Sequence, residues 1–316
     1  MIDIIKRTRL LYSIYNFFHR KQLIHNEVMF KKLNIPKKYY SSLSSKDFAG
    51  LPGNNNAGNF IPDKQKLAGC KLFSNLSNSN KESLLSFEDN GFAVINHYLS
   101  NQQVEAVNEE IDSLLSQKKV QFTNGNKIMF AIHASSLLRK IGDDEQLKEV
   151  LNVLLGGNTT LFQSINFLMG SEQATHSDSI HMTTYPLGGL LGVWIALEDI
   201  TADNGPLHYY PKSHLLPYYL NADYGNEGNA FFLGNKSYSE YEKMISEKMK
   251  ELQLEKAQFF AKKGDLLIWH ANLFHGGDPH LNKTKTRKSM VLHYFKEDAV
   301  CYHEISQRPA LIKQYR

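Results

Sequence analysis

The sequence predicts an α+β fold in which early helices precede a β-sandwich or barrel core. Two observations lead there: apolar residues at helical spacing dominate the first half, and short β-type runs bounded by turn residues crowd the second. A third, the tripeptide His176-Ser177-Asp178, places metal-ligating side chains among those β-type runs.

At 316 residues, 42% hydrophobic and 22% charged, the chain has the size and composition of one large globular domain or two modest ones. No apolar run reaches the roughly 20 residues of a membrane-spanning helix, and the first residues lack the order of a signal peptide. Cys70 and Cys301 are too few for a disulfide framework, which fits a reducing, cytoplasmic setting. The formal charge of +4 is uneven: residues 1–40 hold nine Lys/Arg against Asp3 and Glu27, a net of +7, which leaves −3 for the rest.

Ile4, Ile5, Leu10, Leu11, Ile14, Phe17 and Phe18 recur at helical spacing with basic residues between them. This reads first as a helix covering the main domain with its basic face in water, and second as a weak membrane-surface contact through residues 1–40. Nucleic-acid binding is not expected, because no recognisable binding module accompanies the charge. Residues 41–82 are rich in Ser, Asn, Gly and Lys and read as loop or linker. The organisation expected is therefore a basic helical extension and loop over 1–80 and a catalytic domain over 81–316.

Within that domain, 82–89 reads as a short helix and 91–95 as a strand. Ser100 is a suitable N-cap for an amphipathic helix carrying Val104, Val107, Ile111, Leu114 and Leu115. Residues 127–133 resemble a strand, 144–155 a helix closed by Gly156-Gly157, and 159–169 a strand. Further strands are expected at 192–197, 207–210, 265–269 and 289–295. Residues 215–263 break this rhythm with an aromatic, Gly/Asn-rich loop and a helix over 239–252, an insertion that reads as a lid over the substrate. No internal repeats are evident.

In an extended segment His176 and Asp178 project to the same side. One further histidine would complete the two-His, one-carboxylate triad that suits non-haem Fe(II). His275, in the run 270–277, is the best candidate. His270, five residues earlier, is its rival and faces the opposite side of an unbroken strand.

The surrounding motifs are Gly192-Val193-Trp194-Ile195-Ala196-Leu197-Glu198-Asp199 and Asn204-Gly205-Pro206-Leu207-His208-Tyr209-Tyr210-Pro211-Lys212-Ser213-His214. With His176-Ser177-Asp178 they resemble the phytanoyl-CoA dioxygenase family, whose pattern adds a distal His-Gly and an Arg. The resemblance covers roughly residues 87–295. It implies a double-stranded β-helix (jelly-roll, cupin-like) core with flanking helices, binding Fe(II), 2-oxoglutarate and O2. By position it implies His176, Asp178 and His275 as iron ligands, and the distal His-Gly favours His275 over His270.

The same resemblance implies Arg287 as partner of the distal 2-oxoglutarate carboxylate, a role a guanidinium fork suits. It implies Trp194 as a wall of the co-substrate pocket. Gln163 and Asn166 resemble polar co-substrate contacts, although their opposite parity keeps both from facing inward on a regular strand; Lys127 is a weaker candidate. Two positions depart from the pattern: Gly277 where many relatives have Ser, and Lys212 where they have Gly. Asp178 itself argues for hydroxylation, since halogenating relatives replace this carboxylate with a small residue.

The expected activity is hydroxylation of an unactivated C–H in a small molecule or biosynthetic intermediate, with release of succinate and CO2. Desaturation or ring closure would use the same residues. The rival readings are a cupin-type metalloenzyme without 2-oxoglutarate and a non-catalytic scaffold of the same fold. Oligomeric state is not legible.

Overall fold

The structure, a computed structural model, describes residues 7–51, 61–123 and 125–311. Ile4, Ile5 and the whole Gly/Asn-rich run at 53–59 lie outside the described residues. Among those described, the strands in chain order are β1 (Phe92–Ile95), β2 (Phe122–Thr123), β3 (Lys127–Met129), β4 (Thr159–Phe167), β5 (Thr183–Tyr185), β6 (Leu190–Ala196) and β7 (Leu207–Tyr209). They continue with β8 (Ala257–Phe259), β9 (Leu266–His270), β10 (His275–Gly277), β11 (Ser289–Lys296), β12 (Val300–His303) and β13 (Arg308–Pro309).

A seven-stranded antiparallel sheet in the order β1-β9-β6-β11-β4-β3-β2 forms one wall. Two three-stranded sheets, β10-β7-β8 and β13-β12-β5, complete the jelly-roll. Strand parity divides the large sheet into two buried faces. On β6, Leu191, Val193 and Ile195 pack outward against helices Asn101–Ser116 and Glu145–Leu155. Trp194 and Ala196 turn inward to meet Leu207, Tyr209 and Phe259 of the smaller sheet.

The helices form where the sequence signals them. Ser100 and Gln103 make a reciprocal capping box at the start of Asn101–Ser116, which buries Val104, Val107, Ile111 and Leu114. Asp144 caps Glu145–Leu155, and Gly156 ends it in the left-handed conformation.

Four expectations change. The strand expected over 127–133 stops at Met129, because Phe130 is left-handed (φ 57°) and a 3₁₀ turn follows, its Ile132 N–H donating to Ser164 Oγ. Within the stretch 41–82 expected as loop or linker, the part from residue 64 is largely helical: helices Lys64–Gly69, Lys71–Ser74 and Asn78–Leu85 send Leu67, Cys70, Phe73 and Leu84 into the main core. Met29, Phe30, Ile35, Leu43 and Phe48 likewise pack on Tyr185, Val300 and Tyr302, so a boundary near residue 81 matches no break in packing. The insertion drawn over 215–263 returns to the body at residue 257, since β8 pairs with β7 and buries Phe259 and Ala261.

The fourth concerns helix Arg9–Phe18. It turns its polar side inward, burying Asn16, and leaves Leu10, Leu11, Ile14, Phe17 and Phe18 exposed, the reverse of a helix lying apolar-side-down on the body. Among the described residues no helix is long and apolar enough to cross a membrane.

Candidate active site

His176 and His275 form a reciprocal backbone pair: each N–H donates to the other's carbonyl at 2.9 Å. Such a pair sets two side chains next to each other on one face. Ser177 keeps the segment extended (φ −108°, ψ 140°), so Asp178 returns to the same side before a 3₁₀ turn begins. The result is a buried cluster in which one ligand atom from each of His176, Asp178 and His275 lies within 4.8 Å of the others. Asp178 Oδ1 is 3.8 Å from Nε2 of each histidine.

Both imidazoles are held in one tautomer. Nδ1 of His176 contacts the Ala174 carbonyl and Nδ1 of His275 the Leu273 carbonyl, each at 2.9 Å. A carbonyl only accepts, so Nδ1 carries the proton and the Nε2 lone pairs face Asp178. Burial lowers the His176 pKa to about 3, which keeps this ring neutral at neutral pH. Burial alone would raise that of Asp178, but His275, His293 and His176 outweigh it and hold the carboxyl below its ordinary range. In their ligating form, with the Nε2 lone pairs free, two imidazoles and a carboxylate are a donor set for Fe(II) that leaves coordination positions open.

Asp178 is itself braced. The Trp269 indole N–H donates to Oδ2 at 2.7 Å, and His293 Nε2 lies 3.4 Å from the same oxygen. Oδ1 is thereby left to the cluster. Trp269 lies across Gly192, its register partner in β6, where an added Cβ would sit 2.2 Å from the indole ring. Trp269→Phe is therefore expected to preserve the fold while weakening Fe(II) binding about 10-fold or more, as loss of a ligand's supporting hydrogen bond does. Gly192→Ala should reproduce that loss without altering any atom of Asp178. Metal titration followed by tryptophan fluorescence, from Trp194 alone in Trp269→Phe and from both indoles in Gly192→Ala, checks both.

Arg287 sits at the other end of the small cavity beside the cluster, buried, with Ser171, Trp194, Leu207 and Gly276 among the lining. Its Nε donates to the Gly205 carbonyl (3.0 Å) and its Nη1 to Ser289 Oγ (2.7 Å). The guanidinium lies 5.4 Å from the Trp194 ring. Among the described residues no carboxylate is in salt-bridge distance of it, and burial lowers its pKa to about 10. A buried guanidinium with no ion-pair partner among the described residues, and only the longer-range attraction of Glu198, is a site for an anionic ligand.

The turn motif explains this placement. Gly205 is left-handed (φ +78°), and the Asn204 side-chain amide donates to the carbonyls of Thr286 and Asp199, fastening the turn beside Arg287. Ser213 Oγ accepts the Phe274 N–H and so anchors the residue before His275. Lys212 takes the left-handed conformation (φ 66°) at the position where relatives have glycine. At the other departure, Gly277, an added Cβ would meet Ser171 Oγ at 2.5 Å; a hydroxyl from a different segment occupies the space of the missing serine.

Of the remaining sequence candidates, Trp194 lines the small cavity and Gln163 lines a larger one. Asn166 does not reach either. It shares the outward face of β4 with Ser164 and pairs with Ile128 and Met290, while Ile165 and Phe167 face the cavity. His270 is outside the cluster, its Nδ1 accepting the Asn272 N–H and its ring set against His214.

The larger cavity, about 650 Å³, opens beside His176 and Asp178. Apolar side chains such as Phe130, Phe162, Met182 and Phe295 line it, with His181, His303 and Arg308. Among the described residues, none from 215–263 lines it. The helix Tyr238–Glu251 instead stands behind the wall, its Tyr238 ring 4.6 Å from that of His181. Gln173 and His293 were not among the expected site residues. Gln173 Nε2 lies 3.2 Å from His176 Nε2, and its Oε1 accepts from Lys127. Strand alternation from Arg287 through Ser289 and Val291 carries the signal for His293.

Comparison with known proteins decides the family. The family model described as phytanoyl-CoA dioxygenase (PhyH) matches residues 87–289. The chain belongs to the phytanoyl-CoA dioxygenase family. Its similarity to the phytanoyl-CoA dioxygenase domain-containing protein 1 of Danio rerio is 34% identity over 94 residues, 28% of this chain and 32% of that protein. The chain thus spans about a third of that curated relative's length.

Solved structures share the family fold. The non-haem α-ketoglutarate-dependent carbocyclase SnoK from nogalamycin biosynthesis matches with a TM-score of 0.61 at 17% identity, over 77% of this chain and 96% of that one. EctD from S. alaskensis, with 2-oxoglutarate and 5-hydroxyectoine, matches at 0.53 and 18% identity, over 74% and 82%.

Proposed function

We propose that the protein is an Fe(II)/2-oxoglutarate-dependent dioxygenase that hydroxylates an unactivated C–H of a small molecule. The observation that carries this reading is the gathering of His176, Asp178 and His275 within ligating reach of one another, in a small cavity that the buried Arg287, without an ion-pair partner among the described residues, also lines. These three residues would hold the iron, and Arg287 the distal carboxylate of 2-oxoglutarate, with Trp194 as a wall of that pocket. Bound together, the metal and co-substrate supply oxygen activation and the oxidising power for C–H cleavage.

The chain's own residues supply the rest. The Ala174 and Leu273 carbonyls hold the histidines in the ligating tautomer, and Trp269 restrains the carboxylate. Gln163, Phe162 and Phe295 border the space where substrate would meet the site. That lining supports a substrate with an apolar body, a ring or an acyl chain. Both cysteines are buried and unpaired, which supports a reducing, cytoplasmic setting as part of the same proposal.

Succinate formation tests the reading. It should require Fe(II), 2-oxoglutarate and O2 together, and rise when a true substrate is added. Turnover of a substrate with Fe(II) but without 2-oxoglutarate or succinate would favour the cupin-type alternative.

A further inference from the structure

The face of helix Arg9–Phe18 that points away from the body carries Leu10 (66% exposed), Leu11, Ile14, Phe17 and Phe18 (74%). The inner side is instead polar: Asn16 is buried there, and Arg9 ties the helix to the body by donating to the Glu227 carbonyl. A second chain segment joins the same surface. The Thr8–Phe232 bridge and the bond from Arg9 N–H to the Phe231 carbonyl bring Phe231 (74% exposed) alongside the helix. A contiguous apolar face of this kind, drawn from two segments, marks an interaction surface.

Its surroundings identify the partner. Arg20 and Lys21 follow the helix directly, and Lys32 and Lys38 are exposed nearby. Among the described residues 7–51 the only acids are Glu27 and Asp47, each already paired with a lysine (Lys31 at 2.8 Å, Lys37 at 2.6 Å). Apolar side chains accompanied by cations that no acid pairs among the described residues match an anionic bilayer, which accepts the former below its headgroups and attracts the latter. A second copy of the chain fits less well, because a two-fold pairing of this face would bring like charges together.

We propose that the outward face of helix Arg9–Phe18, with Phe231, docks the protein on an anionic lipid surface. The helix also touches a residue of the larger cavity's wall. Arg308, which lines that cavity, lies with its guanidinium 5.6 Å from the ring of Tyr12 and 5.0 Å from that of Tyr15. Docking through this helix would therefore place the membrane one contact away from the cavity wall. Delivery of a membrane-partitioned substrate rests on the proposed dioxygenase function; docking itself does not.

The test is co-sedimentation of the full chain with vesicles of phosphatidylcholine, with and without about 30% phosphatidylserine. Deleting residues 1–40 is unsuitable because Leu23, Met29, Phe30 and Ile35 are buried. Binding should be about tenfold stronger with the anionic lipid and should weaken with salt. The double variant Leu10→Ser/Phe18→Ser should lower partitioning about tenfold or more with an unchanged melting temperature, because both side chains lie in water. Arg20→Glu/Lys21→Glu should remove the preference for anionic lipid. Wild-type protein that ignores anionic vesicles, or variants that bind like it, would overturn the proposal. A dimer dissociated by Leu10→Ser/Phe18→Ser, without vesicle binding, would assign the face to a second copy. Neither readout depends on turnover.

Discussion

Asp178→Ala is expected to abolish succinate formation and to weaken Fe(II) binding by more than the roughly 10–100-fold that follows loss of a supporting partner. The carboxylate is the one anionic donor among the three ligating residues, so its removal takes both a bond and the charge that offsets the cation. Because the change also strands the Trp269 N–H, a buried donor whose loss of partner costs about 1–3 kcal/mol, melting temperature must be read alongside. Asp178→Asn separates the two effects. Its side-chain carbonyl can still accept the indole N–H, so stability should be largely kept while metal binding falls. Equal iron affinity in the wild type and both variants would contradict the assigned ligand.

The second large effect is expected at Arg287. Removing one member of a buried, hydrogen-bonded charge pair costs about 2–5 kcal/mol, so Arg287→Ala should weaken 2-oxoglutarate binding by about 30-fold or more. Iron binding should be nearly unchanged, since the guanidinium is not among the ligating groups. Arg287→Lys should recover little, because a point charge cannot reproduce the fork that reaches Gly205 and Ser289 while presenting its remaining donors. Stability without co-substrate should change far less than co-substrate affinity. An Arg287→Ala enzyme with normal activity would favour the 2-oxoglutarate-independent reading. Equilibrium titration of 2-oxoglutarate into the Mn(II)-loaded protein measures this separately from turnover.

Much of the architecture was legible because local signals and tertiary demands agree. The Ser100 cap, the Gly156 stop and the alternating faces of β6 follow directly from residue type and period. The paired histidines were legible as types in order, but their reciprocal backbone pairing joins residues 99 positions apart and has no local signal. Trp269 was visible only as part of an apolar run. Its role depends on Gly192 across the sheet, a relation that needs the register.

Asn166 illustrates the opposite failure. A polar residue in a strand near the motif looked functional, but one step of parity sends it away from the cavity. Residues 61–82 fell within the stretch read as linker because Ser, Asn, Gly and Lys dominate it, yet a few apolar positions, Leu67 and Phe73 with Leu84 from the helix expected next, suffice to seat three short helices. The cavity wall from 302–311 carried no motif at all, and the aromatic insertion drew attention to itself while packing behind that wall.

The central claim is that His176, Asp178 and His275 hold iron in a geometry that also accepts 2-oxoglutarate next to Arg287. Anaerobic titration of the protein with Fe(II) and 2-oxoglutarate tests it most directly. The expected result is a weak visible charge-transfer band that requires both additions, is lost in Asp178→Ala and demands far more 2-oxoglutarate in Arg287→Ala. No band in the wild-type protein, or one that persists unchanged in Asp178→Ala, would contradict it.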